Sequence, residues 1–231
     1  HAQLSWFSLD KLTPKGKRQN ADVGNPCDAT RLLAKAGPSS AGSWSCTEGG
    51  WPSPNGRATT EAFYVLTGRG CFTDVDGMKH EFGPGDTVVL PKGWSGRWDI
   101  LEAVHKVWFV LDHPEIDTPT PIRPVVAPFQ EPAQMNMQQF ALHGSPTSGA
   151  NQIYQVPSTS VGFWKCSPGG FSIDGSKTEW LHVLEGTFFL SNPDGSAQRC
   201  TAGDTILMPK GWRGQADIVE AVKAVSVVAH E

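Results

Sequence analysis

Short apolar runs, each closed by turn residues, recur along the chain: AFYVL at 62–66 before TGRG, CFTDV at 71–75 before Asp76-Gly77, TVVL at 87–90 before PKGWSG, then HKVWFVL at 105–111. Such runs bounded by Gly, Pro and Asp predict strands, and an Asp-Gly pair between two of them predicts a tight hairpin. Neither half sustains the period of an amphipathic helix. The pattern therefore predicts an all-β sandwich or barrel built from regularly spaced short strands.

The pattern occurs twice. Glu61 to Leu111 reappears as Glu179 to Ala229 in gapless register at an offset of 118, with 21 identities in 51 positions. Upstream, Trp44-Ser45-Cys46 answers Trp164-Lys165-Cys166 at an offset of 120, so the loop ahead of Glu179 is two residues shorter than the loop ahead of Glu61. This is an internal duplication. Between the copies lies a run of prolines from Pro114 to Pro132. Proline fixes the backbone and removes donors, which predicts an extended crossing segment outside any sheet. The predicted organisation is 1–111 as an N-terminal barrel with its arm, 112–132 as a Pro-rich linker and 133–231 as a C-terminal barrel.

Composition narrows the partners. A net charge of -4 with no long Lys/Arg run argues against nucleic acid, and no apolar window is long enough for a membrane helix. His1 in place of an initiator Met points to processing or to a tag residue, and leaves a removed leader open. Five Cys, an odd number, suit a reducing compartment, and the expected location is the cytoplasm. Across the repeat Cys71 aligns with Phe189 and Cys200 with Phe82, so these thiols are expected to act as core hydrophobes, as are the matched Cys46 and Cys166.

The spacing of the shared residues is specific. Glu61, six residues, Gly68, then Gly85, five residues, Pro91-x-Gly93 resembles the two cupin motifs, and Glu179, Gly186, Gly203 and Pro209-x-Gly211 repeat them. The chain is similar to a bicupin of the RmlC-like cupin superfamily. "LEG", "GD" and "PKGWxG" resemble the branch that includes ureidoglycine aminohydrolase-like domains and an ethanolamine-utilisation protein. The resemblance implies two tandem double-stranded β-helix (cupin, jelly-roll) barrels. In that reading Gly68 and Gly186 permit a sharp exit from a strand, and Asp86 and Asp204 accept backbone donors in their turns.

Metal-binding cupins carry His at positions that here are Pro54, Gly56 and Gly96 in the first half, and Ser172, Asp174 and Gly214 in the second. Only the Glu remains in each half, and one carboxylate does not hold a catalytic transition metal. The aminohydrolase's own ligand pattern falls on Ile173, Gly175 and Glu179. No cofactor is expected; a divalent metal is not supported by the motifs.

Alternation places Glu61 on the same face as Phe63 and Val65, and Glu179 with Leu181 and Val183, so both carboxylates are expected inside their barrels. Two readings are open. Each Glu is a general acid/base or substrate anchor with a raised pKa, or it is structural, ion-paired in the first half to Lys106 or Arg57, or a relic of a lost metal site. Glu61 and Glu179 are thus the candidate catalytic residues, and Trp94, Trp98, Lys106 and Trp212 the candidate ligand-binding residues. Trp94 and Trp212 are matched, which favours packing; Trp98 faces Ala216 across the repeat and could fill its barrel or wall a ligand site.

The expected function is small-molecule binding by a bicupin lacking the usual His ligands, with metal-independent acid/base catalysis on a small polar or acidic metabolite as its catalytic form. The alternatives are a non-catalytic sensor or scaffold, and a metal-dependent hydrolase or oxygenase using Glu179, Asp174 and His182, although alternation points His182 away from Glu179. The duplication supplies in one chain the barrel pairing that single cupins reach by dimerising, so a monomer and a homodimer are both open.

Overall fold

A computed structural model describes residues 1–112 and 121–230. Part of the expected Pro-rich linker, 113–120, lies outside the described residues. The fold is all-β, with two short 3-10 turns at Leu4–Phe7 and Leu9–Lys11. The chain divides into two compact units, Phe7–Phe129 and His1–Trp6 with Gln130–Glu231. The first six residues, read from sequence as part of the N-terminal arm, group with the C-terminal half. Ala2 exchanges backbone hydrogen bonds with Thr205 at 2.8 and 2.9 Å, and His1 Nε2 meets Asp204 Oδ2 at 2.9 Å.

In the first unit a long strand, Gly96–Leu111, runs antiparallel to Ser39–Cys46, Gly49–Ser53 and Thr60–Asp74. In the second, Gly214–Ala229 does the same with Thr159–Cys166, Gly169–Ile173 and Thr178–Ser191. The registers are equivalent position for position: Trp44 faces Lys106 as Trp164 faces Ala224, and Glu61 faces Val110 as Glu179 faces Val228. Backbone hydrogen bonding thus confirms the offsets of 120 and 118 read from the sequence.

Each barrel has its own core. Phe63, Phe72, Phe82, Trp94 and Trp98 cluster with Val65 and Leu90 in the first; Leu181, Phe188, Ile206 and Ile218 cluster with Val183 and Val222 in the second. Cys46, Cys71, Cys166 and Cys200 are buried as expected of thiols that exchange with phenylalanine, while Cys27 is exposed, and all five are free. The Asp76-Gly77 hairpin closes with Gly77 N–H on the Asp74 carbonyl at 2.9 Å. Asp86 and Asp204 accept from the backbone N–H of Gly83 and Thr201 at 2.8 and 3.0 Å.

Two expectations change. Val125–Ala127 is a strand, paired with Thr87–Val89 at the sheet's end. These three residues lie between Pro124 and Pro128, so their backbone donors remain available for a ladder. Gly68 and Gly186 do not end their strands. The strands continue through them with register shifts between Val65 and Gly70 and between Val183 and Phe188, so the glycines bend the sheet. At Gly68 φ is +82° and an added Cβ would lie 2.1 Å from the Ala103 carbonyl oxygen; at Gly186 the values are +90° and 2.2 Å from Ala221.

Crowding as well as handedness therefore requires glycine at Gly68, whereas Gly77 has φ +87° and open space around it. Gly77→Ala is expected to cost about 1–2 kcal/mol from backbone conformation alone, and Gly68→Ala roughly 2 kcal/mol more because backbone must move. Urea unfolding followed by tryptophan fluorescence reads both, and equal losses would show that the bend tolerates a side chain.

Candidate functional site

The inward face of the first barrel closes on a carboxylate. Glu61 Oε1 accepts from Lys106 Nζ at 2.6 Å and Oε2 from Arg57 Nη2 at 2.7 Å. Lys106, on the strand beside it, is buried, with its ammonium 3.8 Å from the Phe63 ring centroid, 4.7 Å from Trp44 and 5.0 Å from Trp98. Aromatic faces attract a cation, which offsets part of the cost of taking the ammonium out of water.

Arg57 comes from the loop ahead of Glu61, and the shared Pro-Lys-Gly-Trp turn holds that loop. Arg57 N–H donates to the Trp94 carbonyl at 3.0 Å, Gly93 N–H to the Arg57 carbonyl at 2.8 Å, and Lys92 N–H to Thr60 Oγ1 at 3.1 Å. The motif that resembled a cupin signature thus fixes the backbone from which an arginine reaches the carboxylate.

Glu61, Arg57, Lys106 and Trp98 line a cavity of about 300 Å³, together with Arg18, Trp44, Trp51 and Trp108. Arg18 donates to Asp28 at 2.7 Å, lies 4.2 Å over the Trp51 ring, and Asp28 also accepts from Trp44 Nε1 at 3.2 Å. Three cations therefore meet two carboxylates. The Nε atoms of Arg18 and Arg57 are both buried and have no hydrogen-bond partner among the described residues.

Burial pushes the Glu61 carboxyl up, but Lys106 and Arg57 outweigh it and hold the group below the usual carboxylate range. This corrects the expectation of a raised pKa. The ion pairs to Lys106 and Arg57 weighed from sequence are both present, and they keep Glu61 ionised rather than poised to donate a proton. Burial, aided by Arg57 and Arg18, draws Lys106 below the usual lysine value, and Glu61 works against that.

The remaining site expectations divide. Trp98 and Lys106 reach the cavity. Trp94 does not line it: its ring is buried edge-on to Phe72 and its Nε1 donates to Asp74 at 2.7 Å, so it is packing. Trp212 packs against the second core and donates to Asn192 at 2.9 Å, away from the second cavity's lining. Glu179 does line that cavity, about 420 Å³, accepting from Ser226 Oγ at 2.8 Å with Lys177 Nζ 3.5 Å away. Sequence reading missed Arg18, Asp28, Trp44 and Trp51. Arg18, Asp28 and Trp51 lie outside the matched segments and Trp44 served only as a marker of the repeat; the signal was that Gln138, 120 residues on, does not keep Arg18's charge.

A cupin-type metal does not fit the donors present. Where such ligands would stand, the first barrel offers Pro54, Gly56 and Gly96 beside a carboxylate already satisfied by two cations. In the second, Asp174 accepts from Ser176 N–H, and His182 is buried outside the cavity lining with Nδ1 on Thr205 Oγ1 at 2.9 Å, its pKa pushed down by burial to about 4. Glu179, Asp174 and His182 do not converge, and no group of three His, Cys, Asp or Glu gathers among the described residues.

Comparison with known proteins agrees with the duplicated fold. A family model described as an EutQ-like cupin domain matches residues 33–108 and again 157–225. No curated protein matches the chain. Among solved structures, a protein of unknown function from Pseudomonas syringae pv. tomato aligns with a TM-score of 0.70 at 16% identity, over 87% of this chain and 86% of that one. Protein Ylba from E. coli aligns at 0.61 and 13% identity over 95% and 89%. Oxalate decarboxylase from Bacillus subtilis aligns at 0.55 and 12% identity over 96% and 76%. At these identities the likeness is one of fold.

Removing the central carboxylate leaves Lys106 buried and uncompensated. Glu61→Ala is expected to destabilise the protein by about 3–5 kcal/mol at neutral pH, and the double variant Glu61→Leu/Lys106→Met to recover most of it. Because the folded pKa of Glu61 lies below its unfolded value of roughly 4.3, its contribution is complete above that pH. It is lost as pH falls through the lower folded value, so the penalty of Glu61→Ala should shrink in acid. Chemical unfolding across pH checks both, and a penalty that grows in acid would contradict the ionised state.

Proposed function

The chain belongs to the cupin superfamily, with an EutQ-like cupin domain in each half, and on that premise we propose that it is a small-molecule-binding bicupin whose first barrel holds a small organic anion without a His-ligated metal. The observation that carries this reading is the excess of positive charge at the first cavity, where Arg18, Arg57 and Lys106 all reach the lining and Glu61 is the carboxylate among them. A guanidinium carries five N–H donors, and beyond those given to Asp28 and Glu61 the two arginines can hold a ligand carboxylate by charge-assisted hydrogen bonds.

The walls support a further choice of ligand. Trp44, Trp51, Trp98 and Trp108 offer indole surface in a cavity of about 300 Å³, at the small end for ligand sites, which suits a flat monocarboxylate of benzoate size. Glu61 is then a positioning residue, holding the Lys106 ammonium and the Arg57 guanidinium at fixed places. Net charge supports a small molecule as partner rather than nucleic acid or membrane, and five free cysteines support a cytoplasmic setting. Among the described residues no helix is long and apolar enough to cross a membrane.

A second reading, a non-catalytic scaffold, is favoured by one observation: both Glu61 oxygens are taken up within the protein. Tryptophan fluorescence separates the two. Titration with benzoate should quench saturably, and Arg57→Gln should weaken binding about 10- to 100-fold, the worth of one charge-assisted contact. Failure of benzoate and other small carboxylates to bind, with Arg57→Gln lowering only the melting temperature, would leave the scaffold.

A further inference from the structure

The two barrels share a backbone and a buried glutamate but differ in what surrounds it. Three positions on the inner strand are exchanged: Lys106 becomes Ala224, Trp98 becomes Ala216 and Trp108 becomes Ser226. In the first barrel the Lys106 ammonium sits on Glu61 among the rings of Phe63, Trp44 and Trp98. The register places Leu181, Trp164 and Ala216 at the equivalent positions around Glu179. The lysine is missing there while the carboxylate and one indole remain. The exchanges also remove two indoles, and the second cavity is larger, about 420 Å³ against about 300 Å³.

From this we infer that the second barrel binds an organic cation, a primary amine with an apolar body, whose ammonium takes beside Glu179 the place that Lys106 occupies beside Glu61. Among the described residues Glu179 is engaged by a single hydroxyl, from Ser226, on one oxygen. Lys177, 3.5 Å from the other, is nearly half exposed and screened by water. A carboxylate accepts up to about four hydrogen bonds, so donors from a ligand can be accommodated. Trp164 supplies the face for the cation, and Phe163, Phe171 and Phe188 line the cavity for the apolar body. Arg18's position is held by the neutral Gln138, so that positive charge is absent from the second cavity. The inference rests on the comparison of the repeats and does not depend on the anion reading of the first barrel.

Phenethylamine and phenylacetate, similar in shape and opposite in charge, test it by calorimetry on the whole protein. Phenethylamine is expected to bind at one site per chain. Glu179→Gln, isosteric and uncharged, should weaken it by about tenfold or more. Ala224→Lys, which restores the first barrel's arrangement, should abolish it by placing a tethered ammonium on Glu179. Should Ala224→Lys fail to fold, Glu179→Gln with its melting temperature as a control still decides. No binding of phenethylamine, unchanged binding in folded Glu179→Gln, or displacement of bound phenethylamine by phenylacetate in the second barrel would each overturn the inference.

Discussion

A carboxylate inside an aromatic barrel has to be paid for, and much of the first barrel follows from how Glu61 is. Its charge is balanced by Lys106 and Arg57 at 2.6 and 2.7 Å, and each partner needs support in turn. Lys106 is buried and finds it in three aromatic faces. Arg57 finds it in a loop pinned by two backbone hydrogen bonds to the Gly93-Trp94 turn. Residues that look like separate motif positions are thereby links in one chain of compensation, from turn to arginine to carboxylate to lysine to indole. Loss of any one member leaves a buried charge exposed to an apolar surround.

The duplication shows a cheaper solution to the same constraint. Glu179 keeps the place in the strand and the inward direction, but its side chain is 18% exposed, one hydroxyl satisfies an oxygen, and the nearest cation, Lys177, reaches to 3.5 Å. The second barrel therefore holds its glutamate with less protein charge and correspondingly more room. That difference, more than any difference in backbone, separates the two cavities chemically.

Much of this was legible in the sequence because it is periodic or local. The repeat, the strands, the Asp-Gly hairpins, the inward glutamates and the core role of Cys71 and Cys200 each leave a pattern within one element or between two copies of it. Alternation put Glu61 inside its barrel, and the need of a buried carboxylate for a partner made Lys106 and Arg57 candidates. Arg18, Trp44 and Trp51 were not recognised as cavity residues, nor Asp28 as the acceptor for two of them, because pairing between segments far apart in sequence brings them together, where no spacing rule applies. Trp94 was ambiguous for a different reason: a tryptophan beside a missing ligand position looks alike whether it faces a ligand or, as here, donates to buried Asp74. The bend at Gly68 hid because glycine marks a strand's end and a strand's bulge equally well.

The placement of the exchanged residues explains how two copies can diverge in chemistry without diverging in fold. The shared identities concentrate at turns and at the bend, where backbone geometry leaves little choice: Gly68 has a carbonyl in the way of any side chain. Trp98, Lys106 and Trp108 instead occupy the inward face of a single strand whose ladder to its neighbours has the same register in both halves. Substitution there changes charge and volume in the cavity while leaving every backbone hydrogen bond of the ladder in place. Such sites carry little of the barrel's construction and set the charge and volume of its cavity. A carboxylate retained in both copies, with its internal cation Lys106 kept in one and replaced by Ala224 in the other, is therefore a change in cavity charge that the fold accommodates without a change of register.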